Sequence, residues 1–210
     1  MASFGDRRVG FMTLMQRTAL AGALVTLEPL SPDRHDELVD AVLDGEVFKL
    51  WYTAVPSPEV MREEILRRLQ LQAHGTTVPW ASRKNSDGLL LDMTTYMDID
   101  SDLPWLEIGS TWNRASASGT GTNVDAKLLL LTHAFEVMGC PAVEFRTHWM
   151  NQTSRTAIER VGAKPDGVLR AHRRMSDGSL RDTCVYSIIA SEWSQVRSGL
   201  EYRLAKHLVR

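Results

Sequence analysis

Most features that would assign a function at once are missing from this 210-residue sequence. It has only two cysteines, Cys140 and Cys184, and neither sits in a CxxC pair or at metal-ligand spacing. A cysteine-based metal site is therefore excluded, and the two thiols read as reduced core residues. An excess of charge is missing too: 24 Lys and Arg stand against 26 Asp and Glu, a net charge of −2. Nucleic-acid binding driven by counterion release needs a strongly basic face, so it is excluded as the general activity. No apolar run approaches the ~20 residues of a membrane span. No Lys-Ser or Lys-Thr follows the glycines, which rules out a P-loop, and the GxGxxG spacing of a dinucleotide fold is absent.

What is present is an ordinary globular composition, 43% hydrophobic and 24% charged, with length for one domain. Arg7 and Arg8 precede a short apolar stretch, but Gln16 and Arg17 interrupt it, so residues 1–23 read as an N-terminal extension rather than a secretory signal. The expected compartment is the cytoplasm. A first strand spans Val25 to Leu30. Ser31-Pro32-Asp33 and Ser57-Pro58-Glu59 each give a capping residue followed by a first-turn proline, and each opens a helix of apolar residues at helical spacing.

Strands follow at Val78 to Ser82 and Leu89 to Met97, around an Asn85-Ser86-Asp87-Gly88 turn, then a polar loop from Asp98 to Pro104 and a strand from Trp105 to Trp112. An apolar helix from about Val124 to Met138 leads to a strand at Ala142 to His148 and a helix from Thr153 to Val161. Val168 to Arg174 and Asp182 to Ile189 form a last hairpin around Ser176-Asp177-Gly178, and Ser191 to Leu208 a C-terminal helix. This order predicts a mixed α/β domain over 24–190, with a central twisted mixed sheet of about seven strands and helices on both faces. Residues 191–210 are expected to pack on that domain or on a second copy, which makes a homodimer one expected partner.

The chemistry concentrates in a strand–loop–helix segment. Leu106-Glu107-Ile108-Gly109-Ser110-Thr111-Trp112 runs into Ser118-Gly119-Thr120-Gly121-Thr122-Asn123 and then the apolar helix. Glycines let successive N–H groups point into one concavity, and the helix adds its positive end, which suits phosphate. By itself such a loop is as often a packing turn. Downstream, Asn151-Gln152-Thr153-Ser154-Arg155 opens a helix that closes at Val161-Gly162-Ala163.

Together these segments resemble the GNAT acetyltransferase superfamily, and within it the RimJ/RimL-type branch of ribosomal-protein N-acetyltransferase relatives. The likeness rests on LEIGSTWN (106–113), GTGTNVDAKLLLLTHAFE (119–136), NQTSRTAIERVGA (151–163) and GVLRAHRR (167–174), and it spans roughly residues 24–189. It implies an N-acetyltransferase with acetyl-CoA as co-substrate and an amine acceptor, possible acceptors including a protein N-terminus. Three departures stand out. Ser118 replaces the Gln or Arg that usually begins the loop, and Ile158 replaces a frequent tyrosine acid. Leu91-Asp92 replaces a frequent Val-Gly pair.

The resemblance implies that the pyrophosphate sits on the amides of Ser118, Gly119, Thr120, Gly121, Thr122 and Asn123. Asn151 would hydrogen-bond the pantetheine arm. Backbone donors at Ser110, Thr111 and Trp112 would face the oxyanion of the attacked thioester. Glu107 would accept the amine proton through water if burial raises its pKa, and Ser154 would donate to the departing thiolate. The plainer alternatives are an ion-paired strand carboxylate and a first-turn serine. His133 reads as a satisfied helix residue, and His148 as a second group for proton traffic. Trp51 and Tyr52 would line the acceptor cleft. Arg155, Arg160, Lys164, Arg170, His172, Arg173 and Arg174 would meet the CoA 3′-phosphate or an acidic substrate, or form a solvated face. A non-catalytic acyl-CoA-binding module and a succinyl-CoA-dependent acyltransferase are the competing readings, and no metal is expected.

Overall fold

The computed structural model describes residues 18–100, 105–175 and 177–209. Residues 1–17, the end of the polar loop that closes at Pro104, Ser176 of the last turn and Arg210 lie outside the described residues. The strands are β1 (Leu20–Ala21), β2 (Val25–Pro29), β3 (Val78–Lys84), β4 (Leu90–Asp100), β5 (Trp105–Asn113), β6 (Ala142–His148), β7 (Lys164–Arg174) and β8 (Leu180–Ile189). The helices are α1 (His35–Leu43), α2 (Met61–Ala73), α3 (Thr122–Thr132), α4 (Gln152–Val161) and α5 (Trp193–Leu208).

All eight strands form one open mixed sheet in the order β1-β2-β3-β4-β5-β6-β8-β7. The eighth strand, beyond the seven expected, is the two-residue β1. It folds back on β2 through Gly22 and is held there by the Asp125 carboxylate, which accepts from the backbone N–H groups of Leu24 (2.6 Å) and Val25 (3.0 Å). The sheet therefore begins inside the segment read as an extension. β7 starts at Lys164, four residues earlier than expected, because Gly162 (φ 111°) ends α4 and turns the chain straight into the edge strand. The apolar stretch expected as one helix to Met138 leaves α-helical geometry after Thr132 and closes in a π turn at His133–Val137.

Alternation along the strands makes two cores. On one face Leu38, Ala41 and Val42 of α1 and Met61 and Ile65 of α2 pack against Ala81, Met93 and Trp112. On the other, Ala126, Leu130 and Leu131 of α3, Ile158 and Val161 of α4, and Trp193 and Leu200 of α5 cover Trp80, Tyr96, Ile108, Val143 and Tyr186. Ser31 starts the first helical segment as its spacing predicts, its hydroxyl accepting from Asp33 N–H at 3.3 Å. Cys140 and Cys184 are buried and unbridged. Among the described residues no helix is long and apolar enough to cross a membrane, and no group of His, Cys, Asp and Glu has the arrangement to hold a metal ion.

Candidate active site

β5 and β6 are the one parallel neighbour pair in the sheet, and they pair only at Leu106↔Val143 and Glu107↔Glu144. Beyond those residues the strands part, so the backbone of Ile108–Asn113 and that of Phe145–His148 face a gap instead of each other. Ser110 marks the break: it has φ 47°, in the left-handed region that non-glycine residues rarely enter, and the pairing of β4 with β5 shifts register beside it. Arg68 of α2 holds this bulge from below. Its guanidinium donates to Ser110 O (3.2 Å), to Thr95 Oγ1 (2.7 Å) and to Glu64 Oε1 (2.7 Å), in a side chain almost fully buried. The sequence reading missed Arg68. Its signal is an arginine on the apolar face of a helix, at the i, i+4, i+7 spacing of Met61, Ile65 and Arg68.

At the open end of the gap, Gly121 (φ 90°) precedes α3 without any side-chain cap, leaving the first-turn N–H groups of the helix outward. Gly119 (φ 74°) has open space where a Cβ would stand, while a Cβ on Gly121 would meet the His207 ring at 2.6 Å. Thr120 Oγ1 donates to Ala117 O (2.7 Å) and lies 2.9 Å from Thr122 Oγ1, which stiffens the loop. Ser118 closes the short helical turn at Ala115–Ala117 and Asn123 lies in the first turn of α3, so residues 118–123 lead directly into the helix. Across the gap, α4 begins at Asn151, whose Oδ1 accepts from Ser154 N–H at 3.0 Å. Its carbonyl is thus spent on capping, leaving the amide N–H₂ to donate outward. α3 and α4 both start at the end of the sheet where β5 and β6 diverge.

Thr111 and Trp112 do not present side chains to the gap. Thr111 Oγ1 is 2.8 Å from Thr94 Oγ1 and accepts from Lys127 Nζ at 3.2 Å, and Trp112 is buried in the core beneath α1. Lys127 and Asp92 form a buried pair under α3. Burial pushes the amine's pKa down and the carboxyl's up, and each charge holds the other back. Lys127 is the counter-charge of Asp92.

Glu107 lies on the opposite face from α3, the face of Thr95 and Met97. Burial pushes its carboxyl up to about 7; Arg146 and, more weakly, Arg173 work against this, while Asp98 and Glu144 reinforce it. Arg146 reaches Glu107 Oε2 at 3.9 Å and Asp98 Oδ2 at 3.6 Å, and it is bonded closely to Glu144. Gly109 makes the room, since a Cβ there would stand 2.5 Å from Glu107 Oε1. Beyond lies His148, buried, its Nδ1 accepting from Met150 N–H at 3.0 Å, which leaves the proton of the neutral ring on Nε2. Burial and Arg181 lower its pKa. Trp51 meets its ring edge-on at 5.5 Å and Tyr52 lies 6.4 Å away. Glu107, His148, Trp51 and Tyr52 thus share one face, and Ser154 with the phosphate-type loop lies toward the other, joined through the gap.

The seven basic residues do not form one patch. Arg155 stacks on Trp149 at 4.3 Å and donates to Tyr186 Oη at 3.1 Å near the start of α4. Arg160 and Lys164 lie at the other end of that helix, Lys164 pairing with Glu192. Arg170, His172, Arg173 and Arg174 are exposed on the edge strand, with Arg170 paired to Asp182 at 2.6 Å. His133 stacks on Tyr96, its Nδ1 at 3.4 Å from the phenol oxygen.

A strand pair opened beside a helix N-terminus defines an acyl-CoA transferase type of fold. The Acetyltransferase (GNAT) domain family matches residues 25–164, and the chain belongs to that family. A solved structure from T. thermophilus, assigned as an acetyltransferase, is 32% identical with a TM-score of 0.78, covering 89% of this chain and 96% of that one. A GCN5-related N-acetyltransferase from Brucella melitensis is 27% identical at TM-score 0.78, covering 90% and 86%. RimJ of Mycobacterium smegmatis, solved with CoA-disulfide, shares the fold at 19% identity and TM-score 0.75, covering 90% and 96%. No curated protein matches the chain. The fold serves acyl transfer from acetyl-CoA in general.

Proposed function

We propose that the protein is an N-acetyltransferase that moves the acetyl group of acetyl-CoA onto a primary amine by direct attack. The observation that carries the reading is the parting of β5 from β6 immediately after Glu107, a buried carboxyl whose pKa is raised to about 7. A group in that range is deprotonated often enough to take a proton near neutrality and basic enough to hold it. The residues fit the donor: the open side of Gly119 and the uncapped start of α3 suit a pyrophosphate, and the Asn151 amide would hydrogen-bond the pantetheine arm.

An ammonium has no lone pair for attack, so Glu107 takes the amine proton, directly or through a water. Backbone N–H groups along Ser110–Trp112, beside the gap, would donate to the oxygen that gains charge. As the carbon–sulfur bond breaks, Ser154 Oγ hydrogen-bonds the departing sulfur. Trp51 and Tyr52, packed against His148, supply a wall for the acceptor. Residues 24–190 carry this machinery, and 191–210 add a helix over it.

The test is titration calorimetry with acetyl-CoA, then release of free CoA over a panel of amines and N-terminal peptides. Saturable binding with CoA release, abolished in Glu107→Gln while binding persists, is the expected result. Binding without release against every acceptor would make the chain a non-catalytic acyl-CoA module. Preference for succinyl-CoA in direct competition would change the donor.

A further inference from the structure

On the reading that acyl-CoA phosphates rest on residues 118–123, the site is short of positive charge. Arg114, just upstream, is spent on Asp40 (2.6 Å), Asp44 (3.8 Å) and Leu90 O (3.2 Å). Lys127, a turn and a half into α3, is buried and directed at Asp92, Thr94 and Thr111. Ser118 is too short to reach far and carries no charge. Arg155 is engaged by Trp149 and Tyr186. Backbone amides alone would have to balance a pyrophosphate.

The other end of the chain reaches this place. α5 runs back along α3, from Trp193, whose indole donates to Glu136 at 2.8 Å past the C-terminus of α3, to His207 beside the N-terminal end of α3. There the His207 side chain lies against the α-carbon of Gly121: an added Cβ would be 2.6 Å from His207 Cγ and 2.8 Å from its Cβ and Cδ2. A side chain at Gly121 would have to push the His207 side chain aside, so the close approach adds to the positive φ in calling for glycine. The imidazole is thus held at the residue that precedes the outward N–H groups of α3. Lys206, exposed over the Tyr202 ring at 4.2 Å, adds charge on the same turn.

We propose that His207 is a donor-binding residue, whose ring N–H hydrogen-bonds the pyrophosphate held by the α3 amides. The C-terminal helix thereby supplies from outside the loop the side-chain contact that Ser118 does not make. A basic last turn also complements its own helix dipole; that role would change melting and leave donor affinity alone.

The decisive experiment compares His207→Leu and His207→Gln in the full chain, two side chains of similar size of which only glutamine keeps an N–H donor. Each is titrated calorimetrically with acetyl-CoA and with 3′-dephospho-acetyl-CoA, and melting is recorded beside each titration. We expect His207→Leu to bind both donors about tenfold more weakly at an unchanged melting temperature, and His207→Gln to stay within about threefold of the parent. The proposal is overturned if leucine binds like histidine, if both variants weaken equally, or if the loss is confined to acetyl-CoA, which would move the contact to the 3′-phosphate. Failure of the parent protein to bind either donor would instead overturn the reading of residues 118–123, and this inference with it.

Discussion

The two sides of the gap between β5 and β6 are built from different materials. Toward α3 the surface is mostly backbone: Ser118 to Asn123 offer N–H groups, small side chains and two left-handed glycines, and the ionisable groups nearby are neutralised in buried or ion-paired arrangements. Toward α2 it is nearly all side chain: Glu107, Glu144 and Arg146 form a charged cluster, His148 stands against Trp51 and Tyr52, and Glu107 and His148 have shifted pKa values. The difference assigns the work. A phosphate-bearing donor common to a whole family can be held by amides, which do not titrate and tolerate sequence change. Accepting a proton and choosing an acceptor need groups of particular pKa and shape, so on the proposed function that side would set acceptor choice.

The sharpest way to break this contrast is Glu107→Gln. It should lower kcat by about 10²–10⁴-fold and leave acetyl-CoA affinity within about twofold, measured by turnover and calorimetry; a parallel loss of donor binding would merge the two sides. The same substitution reads stability. A carboxyl raised from 4.5 to about 7 by folding binds its proton more tightly in the native state, so its contribution declines as pH rises from about 4.5 to about 7. Glu107→Gln should therefore be more stable than the parent at pH 8 by up to about 3 kcal/mol, with the difference shrinking toward pH 4, in urea melts at both pH values. Turnover of the parent should correspondingly rise with pH and level off above about 7.

Arg68→Met tests the scaffold shared by both sides. It takes the buried donor away from Ser110 O and Thr95 Oγ1 while Glu64 keeps Arg67 as an ion-pair partner, and should cost about 1–3 kcal/mol in chemical denaturation. A loss below about 1 kcal/mol would mean that the Ser110 bulge holds itself. Ser154→Ala should reduce kcat about 10–100-fold at constant donor affinity, since a hydroxyl is a weak acid and contributes mainly a hydrogen bond to sulfur. Trp51→Ala should act least, raising the acceptor KM several-fold with donor KM unchanged; an equal rise in both would place the tryptophan outside the acceptor wall.

Local signals in the sequence were reliable where one residue type has one use. The Ser31-Pro32 start, the Asn85–Gly88 turn and the stop at Gly162 each reflect a backbone requirement that few residues meet, and the strands and helices they bound lie where the spacing predicts, to within a few residues. The turn at Gly119 and Gly121 ahead of α3 was legible for the same reason. Residues whose partners lie far along the chain were not. Arg68 is 42 positions from Ser110, and Asp125 about 100 from the hairpin it ties down. The seven basic residues looked like one cluster only because they are close in sequence; a helix and a strand end carry them apart.

What the sequence determined by itself is the family, the mixed α/β order of elements and the loop that suits a phosphate. These follow from short-range pattern, hydrophobic period and glycine conformation, which need no knowledge of distant neighbours. Only the tertiary structure decided that β5 and β6 part after a single pair of ladder steps, and that Glu107 is buried among Asp98, Glu144 and Arg146. It also decided that the last turn of the chain comes to rest on Gly121. Burial and charge proximity are properties of where distant segments meet in space, and a pKa or a close approach exists only once they have met.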